Sequence, residues 1–180
     1  MKKMISIWTM LTPRHTWGLL ALGCLGLLAF GAYLQHVVGL EPCPMCIVQR
    51  YAMTIIALLS LLALAWRSVM AGKVLAVLAW AMALFGAFVA ARQSFLQWYP
   101  PQIASCGRDF YGMIESFPLQ RAIPLIFRGS GDCSAVDWTF LGGSIANWSF
   151  VAFVCMAIWL TVMFFTTLRG PRQAANDEVY

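Results

Sequence analysis

The sequence predicts an all-α fold: an integral membrane four-helix bundle with a short interfacial helix in its second outward loop. Three observations carry this. Apolar residues make up 61% of the 180-residue chain and charged residues 11%, far from the roughly one half and one quarter of soluble domains. Four runs reach the roughly 20 mostly apolar residues that a bilayer crossing needs. The charges, 12 Lys and Arg against 7 Asp and Glu for a net +5, cluster beside those runs. That placement fits membrane topology better than a nucleic-acid face, so no nucleic-acid partner is expected.

Taken in order, the first span is 16–34 (TWGLLALGCLGLLAFGAYL), which has no charge. It follows Lys2 and Lys3, as a signal peptide would. Its apolar run is too long for that reading and no clean small-x-small cleavage site follows, so a retained anchor is expected. The second span is 46–66, uncharged from Tyr51 onward and begun near Cys46. The third is 74–91 (VLAVLAWAMALFGAFVAA), with Ala79, Ala83, Ala87 and Ala91 at fours beside Gly86 and Ala90. Small residues at that spacing let helices approach closely in lipid. The fourth is 145–168. The chain then reads as a single transmembrane domain over 1–180.

Two segments join the spans on one side, 35–45 and 92–144. The longer opens with WYPP at 98–101, aromatic rings suited to a membrane interface followed by prolines that end a helix. Within it, FYGMIESF (110–117) places Phe110, Met113, Ile114 and Phe117 on one helical face. That pattern suits a helix lying on the membrane surface or an apolar patch docked on the bundle.

Lys2, Lys3, Arg14, Arg67, Lys73, Arg169 and Arg172 fall in short segments on the opposite side. By the positive-inside rule both termini are cytoplasmic and the segments 35–45 and 92–144 face outward.

Of six cysteines, Cys43, Cys46, Cys106 and Cys133 lie in or beside the outward segments, and none lies in a cytoplasmic loop. Outside the cytoplasm disulfides persist. Cys24 and Cys155 sit mid-span, where a lone cysteine is a small apolar packing residue. His15 and His36 are isolated, which gives a metal site little support.

The stretch EPCPMCIVQR (41–50) concentrates the chemistry. A Cys43–Cys46 bridge closes a very small ring, and so tight a bridge adds little stability. Redox use is therefore the natural reading. Two static disulfides and a four-thiolate zinc site remain open, though a tight pair with two distant cysteines is weak zinc spacing. Pro44 suits a helix's first turn. Cys46 then lies at a helix N-terminus, where the macrodipole favours a thiolate. Arg50, four residues on, shares its face. An arginine at the lipid boundary marks a functional site by default, with snorkelling to the headgroups as the plainer alternative. A dithiol that is to be reoxidised needs an electron acceptor, and the one most available at a bilayer edge is a lipid-soluble quinone.

These residues resemble the DsbB family, bacterial inner-membrane disulfide oxidases that reoxidise the periplasmic thiol oxidase DsbA. The resemblance covers nearly the whole chain: four spans, Cys-x-x-Cys in the first outward loop, Arg four residues later and two more cysteines in the second. SGDC around Cys133, then Trp138, Phe140, Leu141 and Gly142, add to it. It implies that Cys43 and Cys46 pass electrons to ubiquinone or menaquinone, with Cys46 nearest the ring and Arg50 contacting a quinone oxygen. It implies that Cys106 forms the mixed disulfide with a DsbA-like partner and pairs at rest with Cys133. The relay from DsbA through DsbB to quinone is the known means of keeping a periplasm oxidising; DsbA is itself a strong oxidant at about −120 mV, so glutathione cannot reoxidise it. One departure stands out. Some members carry a histidine near the end of the third helix, where this chain has Gln93; its amide could still hydrogen-bond a quinone oxygen, but it is not assigned to the site.

Two other classes compete. Vitamin K epoxide reductase-like enzymes also join four cysteines and a quinone in a helical bundle, but their Cys-x-x-Cys lies at a late helix. A non-enzymatic scaffold with two structural bridges would keep its cysteines oxidised with or without quinone.

Overall fold

The computed structural model describes residues 13–66, 68–100, 136 and 138–177. It contains helices α1 (Pro13–His36), α2 (Pro44–Ala65) and α3 (Val69–Trp98), then a two-stranded hairpin, β1 (Thr139–Phe140) and β2 (Gly143–Ser144), then α4 (Ile145–Asp177). All four helices contain stretches long and apolar enough to cross a membrane. The expected helix at 110–117 lies outside the described residues, as do Cys106 and Cys133.

Two helices run well past the C-terminal ends of the apolar stretches that announced them. α3 continues from the expected end at residue 91 to Trp98, and α4 from 168 to Asp177. Arg92 ends the apolar run without ending the helix, because arginine is a good helix former. Its guanidinium lies over the Phe95 ring, 5.7 Å from the centroid. At 1.5 Å per residue the 30 residues of α3 span about 45 Å, beyond the ~30 Å hydrocarbon core.

α3 is the central element, packed against α2 on one side and α4 on the other, while α1 packs on α2 and makes only slight contact with α4. Most of the small residues do what their spacing suggests, though Ala91 is exposed. Ala79, Ala83 and Ala90 are fully buried. At Gly86 a Cβ would stand 2.3 Å from the Phe153 ring, so the missing side chain is what lets that fully buried ring seat against α3. Three hydroxyls within the spans bond back to their own helices: Ser60 donates to the Ile56 carbonyl, Thr54 to Arg50 and Thr161 to Ala157. Lipid favours this, since no water is there to bond them. Thr16 instead donates across the bundle to the Met163 sulfur at 3.3 Å, and the buried Ser94 hydroxyl has no partner among the described residues. Leu22, Leu58, Val77 and Phe88 point outward, each more than half exposed, as a lipid-facing surface should be.

Cys24 is completely buried, its sulfur 3.7 Å from the Met156 sulfur, whereas Cys155 is exposed on the outer face of α4.

Candidate functional site

Cys43 is the N-cap of α2. Its backbone is extended (φ −66°, ψ 159°), Pro44 follows in the first turn, and its sulfur accepts a hydrogen bond from the Cys46 backbone N–H at 3.3 Å. A sulfur thus takes the place that a Ser or Asp oxygen usually takes at a helix start. One turn on, Cys46 brings its own sulfur to 2.6 Å from that of Cys43. Both sulfurs therefore sit at the positive end of the α2 dipole. Cys43 is buried among Met45, Val89 and Leu96, and Cys46 is partly exposed.

The third participant is Gln93, at the same depth on α3. Its side-chain amide nitrogen lies 3.2 Å from each of the two sulfurs. Its amide oxygen accepts from the amide nitrogen of Gln49 on α2 at 2.7 Å. Both glutamines are almost wholly buried, at 5% and 3% exposure for Gln49 and Gln93. Sequence reasoning left Gln93 outside the site. The signal that could have found it is two uncharged polar side chains in neighbouring spans, since a buried amide must find a partner in lipid.

Arg50 faces α1. Its guanidinium donates to the Gln35 side-chain oxygen and, at 2.9 Å, to the Gly31 carbonyl. These bonds use two of its five N–H donors. No described bond joins Arg50 to Cys46; what they share is a cavity of about 580 Å³. That volume is in the range of small-molecule sites. Leu27, Leu34, Met53 and Ala152 line it with apolar carbon, Glu41 and Pro42 lie at one end, and Gln49 is part of its wall; Gln93 is not. The cavity is walled by α1, the head of α2, the hairpin and the start of α4.

The hairpin supplies an aromatic side to this cavity. Leu141 and Gly142, at φ 50° and 80°, form a two-residue turn, the left-handed pair that tight hairpins favour. Thr139 then pairs with Ser144 and Phe140 with Gly143. Trp138 stacks on Phe140, with centroids 6.0 Å apart, and meets the Phe30 ring of α1 edge-on. Trp148 donates its indole N–H to the Phe140 carbonyl at 2.9 Å. Gly143 makes room for that ring, since a Cβ there would be 2.9 Å from the indole nitrogen. Ser144 fixes the hairpin to α3 by donating to the Gln97 side chain at 2.6 Å. The two tryptophans and Phe140 all line the cavity.

Aromatic and aliphatic carbon surrounds the space, a guanidinium is the hydrogen-bond donor, and a sulfur lies at the edge. Among the described residues no group of three His, Cys, Asp or Glu side chains is placed to hold a metal ion.

Comparison with known proteins gives a consistent answer. Residues 13–163 match the family described as "Disulfide bond formation protein DsbB". The chain is 62% identical over 175 residues to "Disulfide bond formation protein B" of Paracidovorax citrulli (strain AAC00-1), covering 95% of this chain and 96% of that one. It is 66% identical over 149 residues to the protein of the same name from Polaromonas naphthalenivorans (strain CJ2), covering 81% and 87%. A more distant relative, from Azoarcus sp. (strain BH72), is 53% identical over 141 residues, covering 76% and 85%.

Proposed function

The chain belongs to the DsbB family of disulfide bond formation proteins, and from that premise we propose that it reoxidises a periplasmic DsbA-like thiol oxidase and delivers the electrons to a membrane quinone. In this reading it is a single transmembrane domain of the bacterial inner membrane, with both termini cytoplasmic and the four outward cysteines periplasmic. The observation that carries it is the opening of Cys46 and Arg50 onto one apolar cavity.

The protein's own part is a pair of thiol–disulfide exchanges. A thiolate of the reduced partner attacks a Cys106–Cys133 disulfide at Cys106 and expels Cys133 as thiolate. The partner's second thiolate resolves that mixed disulfide, leaving the partner oxidised and Cys106–Cys133 reduced by two electrons. A second exchange moves those electrons to Cys43–Cys46. The α2 dipole steadies negative charge on either sulfur, and Met45, Val89 and Leu96 keep water from the Cys43 side. A quinone held in the cavity, ubiquinone or menaquinone, would supply the two-electron, two-proton sink that empties the pair. Arg50 would hold a carbonyl oxygen of it, fixed in place by Gln35 and Gly31, and Trp138, Phe140 and Trp148 would flank its ring.

The test is oxidation of a reduced DsbA-type protein by the purified chain in detergent, followed by thiol titration of the partner and quinone absorbance. Stoichiometric loss of partner thiols and quinone is expected. Partner thiols that persist with quinone present would remove the reading.

A further inference from the structure

The amide nitrogen of Gln93 touches both sulfurs of the Cys43–Cys46 pair, while its oxygen is engaged by its other neighbour. Gln49 donates to the Gln93 oxygen at 2.7 Å, so the Gln93 nitrogen is the end turned to the cysteines, 3.2 Å from each sulfur. A thiolate or a disulfide sulfur has no proton to give, so only this orientation of the amide makes hydrogen bonds in those states. Each of the two N–H groups on that nitrogen can serve one sulfur.

We propose that Gln93 is a catalytic residue of the cysteine pair and Gln49 the residue that positions it: together they hold amide N–H donors against both sulfurs and so favour the reduced pair over the disulfide. The reason is charge. Reduction turns a neutral disulfide into thiols with thiolate character, and hydrogen bonds to a charged acceptor are the stronger kind. Burial of both glutamines strengthens them further. An oxidant made strong by stabilising its reduced form is an established device in thiol chemistry. The donor is also uncharged, so unlike a histidine in the same place it does not titrate near neutral pH. Gln93 is absent from the cavity wall while Cys46 is on it. It therefore acts on the sulfurs, not on whatever occupies the cavity.

The proposal rests on the redox reading of the pair, but its test needs neither quinone nor partner. The full chain carrying Cys106→Ser and Cys133→Ser is purified free of quinone and equilibrated with glutathione. One Cys43–Cys46 disulfide and two glutathione thiols give two cysteine thiols and one glutathione disulfide, and the reduced fraction is read by thiol labelling and mass. Gln93→Glu keeps the bond from Gln49 but turns an acceptor toward the sulfurs. It is expected to lower the equilibrium constant for reduction at least about tenfold, which is about 30 mV in potential. Gln49→Glu should act in the same direction, because a carboxylate at 49 accepts from the Gln93 nitrogen and turns the amide oxygen toward the cysteines. Gln93→Met, which keeps the volume and removes the donor, guards against a glutamate variant that fails to fold. A folded Gln93→Met or Gln93→Glu protein whose equilibrium constant stays within about twofold of the parent, less than about 0.5 kcal/mol, overturns the proposal. A parent chain that fails to oxidise a DsbA-type protein overturns the function instead and leaves this equilibrium untouched.

Discussion

Arg50 of α2 donates a hydrogen bond to the backbone carbonyl of Gly31 on α1, 2.9 Å away. With the Gln35 bond beside it, this holds the guanidinium across the gap between two helices with its remaining donors available to the cavity. A side chain that only snorkelled would point along its own helix to the headgroups.

Arg50→Lys therefore separates the two roles. Lysine also reaches headgroups, but it is a point charge that cannot reproduce a planar fork holding two α1 partners and a third acceptor. Loss of one charge-assisted bond costs about 1.5–3 kcal/mol. The apparent KM for quinone should rise about 10- to 100-fold in Arg50→Lys and Arg50→Ala, with the KM for the partner nearly unchanged. Steady-state kinetics varying each substrate separately checks this; a raised partner KM with an unaltered quinone KM would move Arg50 out of the acceptor site.

Cys43→Ser and Cys46→Ser should each abolish quinone-dependent turnover, since a two-electron relay cannot skip a sulfur. The fold should survive, because serine is itself a favoured N-cap and replaces the sulfur that caps α2. Thiol trapping in cells distinguishes a relay from a scaffold. Removing quinone should leave the outward cysteines reduced in the parent chain. Cysteines that stay oxidised without quinone would favour two static bridges.

Cys24→Ala and Cys155→Ala should both retain activity. Cys24 is sealed in the core against Met156, so its truncation should cost about 1 kcal/mol of stability from the lost contacts. Cys155 is exposed and its truncation should be near silent. Thermal unfolding in detergent and turnover, measured side by side, check the pair. Normal folding with lost turnover in either variant would show a role that the geometry does not suggest.

Gly86→Ala should destabilise the bundle by about 1–3 kcal/mol, the usual cost of overpacking. The added methyl would sit 2.3 Å from the Phe153 ring, and neither α3 nor the buried ring has room to retreat. Gly72→Ala, where nothing lies within 4 Å, is the control and should be neutral or slightly stabilising, as alanine is the better helix former. Equal melting temperatures for the two would mean that the α3–α4 contact is looser than described.

Much of this was legible in the residues. The four spans follow from apolar runs, and Pro44 with Cys43 and Cys46 at the head of α2 follows from the helix preference of proline's first-turn position. What stayed hidden depends on how one helix is turned against the next. Gln93 reads as a residue just past the end of a span because Arg92 closes the apolar run; only the packing of α3 on α2 shows it facing two sulfurs. Gln35 and Gly31 carry no signal of their own, and they matter because α1 lies beside Arg50. Trp138 and Phe140 stand out in the sequence as a motif, but their place on the cavity wall follows from a tight turn at Leu141 and Gly142 that folds them back toward Phe30.

The apolar walls of the cavity, set among helices long enough to cross a membrane, have a kinetic meaning. An occupant that partitions into the bilayer reaches such a cavity in proportion to its mole fraction in lipid, not to its aqueous concentration. An acceptor with a long hydrocarbon tail can leave that tail among the acyl chains while only its head turns inward, so tail length should govern partitioning far more than fit. Rates measured in micelles then scale with the ratio of acceptor to detergent, and adding detergent at a fixed amount of acceptor lowers them by diluting the acceptor within the micellar phase.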